Sequence, residues 1–228
     1  MLGSHNVADL IHQLDGDLVV VAKPPGLPTT GLTLDDQNCV QAHLIQHFGT
    51  MVWALHQLDA DTSGVCLFTR SKALVKKVKA RWSTPETQKI YLAVVEGQPE
   101  WETMEADFPI GELSPNNLGV CADGKEARTS FCVIGRAQGH ALVRATLHTG
   151  RTHQIRIHLS HLGHAVVGEK WYRTEPSTEH PRHALHAYQL SIPPVVGIKG
   201  TRWTIPLAED LERLVHSLGL KVNLSYRV

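Results

Sequence analysis

The chain has 228 residues, 42% hydrophobic and 19% charged, which excludes a disordered or fibrous protein and allows a sizeable core without staples. Basic and acidic residues balance at 22 each, and no apolar run approaches the roughly 18 residues of a membrane span. A basic start followed by an apolar stretch is absent, and Cys39, Cys66, Cys121 and Cys132 lie far apart without a C-x-x-C pair. Those features predict a cytoplasmic protein with reduced thiols.

In chain order, Asp17-Leu-Val-Val-Val-Ala22 reads as a strand closed by the stiff loop Lys23-Pro-Pro-Gly-Leu-Pro28. Val40 to Phe48 is helical in period, and Gly64 to Thr69 is a second strand. Ser71 is placed to cap a helix over Lys72–Arg81, with an apolar stripe at Leu74, Val78 and Trp82 and with Lys72, Lys76 and Lys79 opposite. Lys89 to Val95 is a third strand. The stretch from Gly97 to Ala127, rich in Gly, Pro, Asn and acids, predicts a long connection with short strands. Thr129–Ile134 and Ala141–Leu147 form a hairpin through Gly139. From His153 to Leu162 the apolar residues fit a strand or a helix, and Gly163 as a stop favours helix. Strands near Ala187–Ile192 and Arg202–Ile205 precede a terminal helix at Glu209–Leu218. Strands dominate without regular βαβ alternation, so the predicted class is α+β, with a mainly antiparallel mixed sheet and flanking helices.

Charge is unevenly spread. Arg70 to Lys89 holds seven basic residues against Glu86 alone, and Arg144 to Arg173 holds five against Glu169. Five acids and no bases lie between Glu96 and Asp107. If these segments fold onto separate faces, the surface is dipolar and its basic part suits a polyanion.

Two stretches concentrate chemistry. His56-Gln-Leu-Asp-Ala-Asp-Thr-Ser-Gly64 puts two carboxylates, two hydroxyls and a glycine in a turn before a strand. Such a loop suits a nucleophile or base; it also suits a turn in which Asp59 and Thr62 satisfy backbone donors. Thr149-Gly-Arg-Thr-His-Gln-Ile-Arg-Ile-His158 continues to His161, His164 and Tyr172, and on a helix His153 and Arg156 share a face. The histidine spacings match no zinc pattern, and no phosphate loop, dinucleotide fingerprint or G-x-S-x-G elbow occurs. Chemistry by side chains alone, with no metal and no cofactor, is the expectation.

His56-Gln-Leu-Asp-x-x-Thr-Ser-Gly64 resembles the H-R-L-D-x-x-T-S-G signature of the RluA-type pseudouridine synthases. Gly150-Arg-Thr-His-Gln-Ile-Arg-Ile-His158, with Leu162-Gly-His164 and Gly168-Glu-Lys-Trp-Tyr172, resembles that family's second block. Ala22-Lys-Pro-Pro-Gly-Leu27, Gln88-Lys-Ile-Tyr-Leu-Ala93 and Leu185-His-Ala187 follow in the family's order, so the resemblance spans about residues 12 to 215. It implies one catalytic domain over 12–228 after a leader over 1–11, with no S4 domain ahead of it and a central RNA-binding cleft. It implies a monomer, remote from membranes, that isomerises uridine to pseudouridine in ribosomal or transfer RNA. Asp59 matches the catalytic aspartate, Tyr91 the tyrosine lying against the target base, and Arg156 the basic partner of the aspartate. His56, Gln57, Thr62, Arg151, His153 and Gln154 are expected to contact RNA, and Lys72, Lys76 and Lys79 its phosphates. Tyr91 also reads as core, and the lysines as a solvated face.

Three positions depart from the pattern: Gln57 replaces an arginine, Glu169 an aspartate and Ala165 a proline. The retained Asp59, Tyr91 and Arg156 favour an active enzyme over a non-catalytic RNA-binding relative. A glycoside hydrolase acting through the carboxylates Asp59 and Asp61 is the disfavoured alternative.

Overall fold

Leu18 to Val21 are each fully buried, because the strand they form is covered on both faces and paired on both edges. The computed structural model describes residues 7–33, 36–115 and 117–221. The expected leader over 1–11 therefore lies partly outside the described residues. Its described part is a short helix, α1 (Val7–Leu10), running into strand β1 (Ile11–Asp15). The chain divides into two compact units, residues 1–88 with 187–206, and residues 89–186 with 207–228.

In the first unit, β2 (Leu18–Lys23) lies between β1 and β4 (Ser63–Thr69), antiparallel to both; β3 (Trp53–Ala54) adds to β4. Every residue of β4 is buried. α2 (Val40–Phe48) follows the sequence expectation and buries Val40 and Leu44. Strand β1 escapes a periodicity reading because His12 and Gln13 interrupt it at an exposed edge. Gly64 opens the core of β4 at φ 117°, where a Cβ would lie 2.1 Å from the Ala187 carbonyl oxygen. The last letter of T-S-G is thus a requirement for backbone approach, which no side chain permits.

α3 (Lys72–Lys79) differs from expectation in two details. Ser71 stands at the N-cap with extended backbone, yet its side chain makes no capping bond; its N–H donates to Thr69 Oγ1 at 3.0 Å. Trp82 lies beyond the helix, in turns closed by Val78 and Lys79 carbonyls, so the buried stripe is Leu74 and Val78.

The second unit is built on β5 (Gln88–Glu96), β9 (Arg128–Ala137), β10 (His140–Leu147) and β6 (Thr103–Asp107), in sheet order β5-β10-β9-β6 and antiparallel throughout. Gln138 and Gly139 both take positive φ, as a two-residue turn between right-twisted strands demands. The long connection holds β6 and the small hairpin β7 (Ile110–Ser114) and β8 (Asn117–Val120). Helix α4 (Gln154–His161) packs on that hairpin through Ile157, which meets Ile110 and Ala127. Strand β11 (Leu185–Ser191), whose later part pairs with β12 (Arg202–Thr204), precedes helix α5 (Glu209–Ser217). The architecture is α+β with predominantly antiparallel sheet. No helix among the described residues is long and apolar enough to cross a membrane.

Candidate active site

The loop His56–Gly64 is fastened along its length. His56 Nε2 accepts the Leu67 N–H at 3.0 Å, and its ring stacks on Trp82, centroids 4.9 Å apart. Leu58 exchanges two 3.0 Å bonds with the buried Thr29 hydroxyl, one from its N–H and one to its carbonyl. The Thr62 N–H closes the following turn on the Asp59 carbonyl. Lys23, 1% exposed, donates through Nζ to the carbonyls of Pro24, Leu27 and Ala60 at 2.7–2.8 Å. Asp59, half-buried, therefore sits on a turn whose neighbour Ala60 is tied to a buried ammonium. Sequence reasoning placed Lys23 in a loop motif without a role; a lysine between an apolar strand and Pro-Pro was the available signal.

Gln57 is exposed, and its amide lies against the Thr30 hydroxyl, with Nε2 donating at 3.0 Å. Behind the loop, burial pushes the Cys66 thiol up to about 12 despite the nearby Lys23 charge, so it stays protonated and inert.

In the second unit, Gln154 through Leu159 are all buried, which explains the ambiguous period of this segment: the helix has no wet face there. Its polar residues are consequently partnered. Gln154 accepts from Thr149 Oγ1 and Arg151 N and donates to Arg128 O and Thr129 Oγ1, four bonds that fill an amide's capacity. Its work is to shape the 149–154 loop. His153 precedes the helix at φ 56°, an unusual conformation for a residue with a side chain, and its Nδ1 bonds the Tyr172 hydroxyl. Arg151 is exposed and donates through Nε to the Glu126 carbonyl.

Arg156, 3% exposed, meets Glu169, fully buried, in a two-pronged pair: Nε to Oε2 at 2.7 Å and Nη2 to Oε1 at 2.8 Å. Glu169 Oε1 also accepts the N–H groups of Lys170 and Trp171. Burial alone would raise the Glu169 pKa, but the hydrogen bonds and charge of Arg156 outweigh it and hold the carboxyl below its usual range. Glycine is obligatory just before, since at Gly168 a Cβ would lie 2.0 Å from the Arg182 carbonyl oxygen. Trp171 and Tyr172 flank the guanidinium, ring centroids 5.0 and 5.2 Å from Cζ. His183 is buried beside this group; burial first, then the Arg156 charge, pushes its pKa down to about 3, so it is neutral at physiological pH. The significance of Glu169, apparent from sequence only as a departure, is that it anchors Arg156.

Tyr91 lies half-buried on β5, opposite Ala145 of β10. Lys72, Lys76 and Lys79 are exposed on α3. The four histidines weighed as metal ligands turn to separate partners. His153 bonds Tyr172, His158 lies between Thr129 and the Phe108 carbonyl, His161 packs on the Phe108 ring, and His164 reaches the Glu96 carbonyl.

Residues 17–161 match the family model described as RNA pseudouridylate synthase. An uncharacterized RNA pseudouridine synthase of Zymomonas mobilis is 33% identical over 187 residues, covering 78% of this chain and 85% of the relative. The dual-specificity RNA pseudouridine synthase RluA of Haemophilus influenzae is 35% identical over 196 residues, 83% of this chain and 89% of its own. Among solved structures, human RNA pseudouridylate synthase domain containing 4 superposes with a TM-score of 0.76 at 24% identity, covering 94% of this chain and 95% of that one.

Proposed function

The chain belongs to the RNA pseudouridylate synthase family, in its RluA-type branch, and is an enzyme that isomerises uridine to pseudouridine in RNA; from that premise we propose that Asp59 is the catalytic aspartate and that the substrate is a structured ribosomal or transfer RNA. The observation that carries the reading is the position of Asp59 in H-x-L-D-x-x-T-S-G, on a turn held by Lys23 and Thr29. A carboxylate on so constrained a turn is oriented before substrate arrives.

In the proposed reaction the C1′–N1 bond of the uridine breaks, the uracil turns, and C1′ bonds to C5. The C5 proton is lost and N1 regains one, so no atom is gained or lost. Asp59 acts on the ribose, as nucleophile at C1′ or as base at C2′. Tyr91 supplies a ring for the extruded base, and Arg156 is the basic residue that the family pattern sets beside the aspartate. Extruding the uridine costs roughly a few kcal/mol of stacking and pairing. The exposed lysines of α3, with Arg151, offset part of that cost by phosphate contacts. The dual-specificity name of the Haemophilus influenzae relative supports keeping more than one RNA target in view.

The test is to incubate the protein with total RNA from cells lacking it and to map pseudouridine by carbodiimide primer stops. Wild type should add one or a few stops and Asp59→Asn none, while both bind RNA alike. Turnover by Asp59→Asn, or an equal loss in Asp61→Asn, would move the chemistry elsewhere.

A further inference from the structure

Trp171 is 66% exposed, a large aromatic ring left in water on a chain that buries most of its apolar side chains. Exposure of such a ring is informative where the ring is also held in place. Here it is. The Trp171 backbone N–H donates to Glu169 Oε1 at 2.9 Å, the indole centroid lies 5.0 Å from Arg156 Cζ, and the His153 ring packs against it at 5.2 Å. Its anchor is rigid in turn, because Glu169 and Arg156 are buried and doubly bonded to each other. The indole therefore offers water a fixed aromatic surface backed by a cation.

The surrounding chemistry selects the occupant. Between Arg144 and Arg173 the ion pairs Arg156–Glu169 and Arg173–Glu96 cancel, and the exposed Arg151 and Lys170, the latter adjoining Trp171 in the chain, present positive charge to water. An acidic or plain apolar protein segment would use the charge or the ring. An unstacked nucleobase of an RNA strand uses both, its π-face on the indole and its phosphates on the basic surroundings. We propose that Trp171 is a stacking platform for an unpaired base beside the target uridine, and that it sets which loop sequences the enzyme accepts. The proposal rests on the family reading of Arg156 as an active-site residue. The base on Trp171 is a neighbour of the target, since the target itself is assigned to Tyr91. Purines, with the larger π-face, bind better than pyrimidines at that position.

The experiment uses a labelled hairpin RNA oligonucleotide with one uridine in its loop, and variants with each loop neighbour replaced by an abasic nucleotide. Wild type should lose about 5- to 150-fold in affinity when one particular neighbour is abasic. Trp171→Ala should show the same loss on the intact hairpin, and no further loss on that abasic RNA. Trp171→Phe should recover most of the affinity, whereas Trp171→Leu, apolar but not aromatic, should not. KM should rise by more than kcat falls, and the melting temperature should fall by at most a few degrees, because the ring also flanks the Arg156 guanidinium. If the abasic penalty persists in full in Trp171→Ala, or Trp171→Leu binds as wild type does, the platform does not exist. A wild-type protein that binds the hairpin but forms no pseudouridine in any RNA overturns the activity reading, while the binding cycle still decides the role of Trp171.

Discussion

Replacing Glu169 by glutamine tests the anchoring of Arg156 at its strongest point. The carboxylate accepts four hydrogen bonds, from Arg156 Nε and Nη2 and from Lys170 N and Trp171 N. An amide keeps one acceptor oxygen. Placed to accept the three bonds now made to Oε1, it turns its NH2 onto Arg156 Nε, donor against donor, and leaves the guanidinium charge buried without its counterion. Breaking a buried pair in this way costs about 3–5 kcal/mol. At roughly 2–4 °C per kcal/mol for a chain of this size, the midpoint should fall by about 6–20 °C. The Glu169 pKa is depressed in the folded protein, below its ordinary 4.5. Its stabilisation is therefore complete above pH 4.5 and is lost as pH falls through the folded value. Melting both proteins from neutral pH downward should show a constant gap that narrows only below pH 4.5, where wild type also becomes neutral at this site. Other acids that titrate there, such as Asp210 held low by Arg182, cancel because both proteins carry them. A gap below about 1 kcal/mol, within the range of exposed pairs, or one that does not narrow in acid, would refute the anchoring argument.

Lys23→Met strands the Pro24, Leu27 and Ala60 carbonyls and should cost about 2–4 kcal/mol, with single-turnover rate falling more than stability because Ala60 adjoins Asp59. Equal activity in the folded variant would show that the loop holds without the ammonium. Changing Lys72, Lys76 and Lys79 together to glutamine should lower the log–log salt slope of RNA binding by about one unit, or slightly less, per lost phosphate contact; an unchanged slope returns α3 to a solvated face. Gln57→Arg should accelerate a stem-embedded uridine more than a loop uridine, because glutamine is shorter, uncharged and spends its amide on Thr30. Equal gains on both substrates would sink that reading.

Most elements were legible because their cues are local. The run Leu18–Val21, the period of Val40–Phe48 and the turn at Gly139 each involve residues near one another in the chain, and the structure follows them. The motif residues were legible as well, since their types and spacing survive without knowledge of contacts. The 153–162 segment resisted because periodicity reports a half-wet helix, and α4 is buried on every side through Leu159. Ser71 takes the expected N-cap position, but its hydroxyl makes no capping bond there.

What the sequence determined by itself is most of the longer strands and helices, the α+β class and the chemistry-bearing residue types, because propensity, period and turn preference act within a few residues. Tertiary structure alone decided what those residues do for one another. Arg156 meets Glu169 across 13 positions, Lys23 holds the Ala60 carbonyl across 37, and Gly64 is required by the distant backbone of Ala187. Such partners are chosen by burial, which makes every interior charge and carbonyl find a mate wherever the chain brings one, and no local pattern records which mate that is.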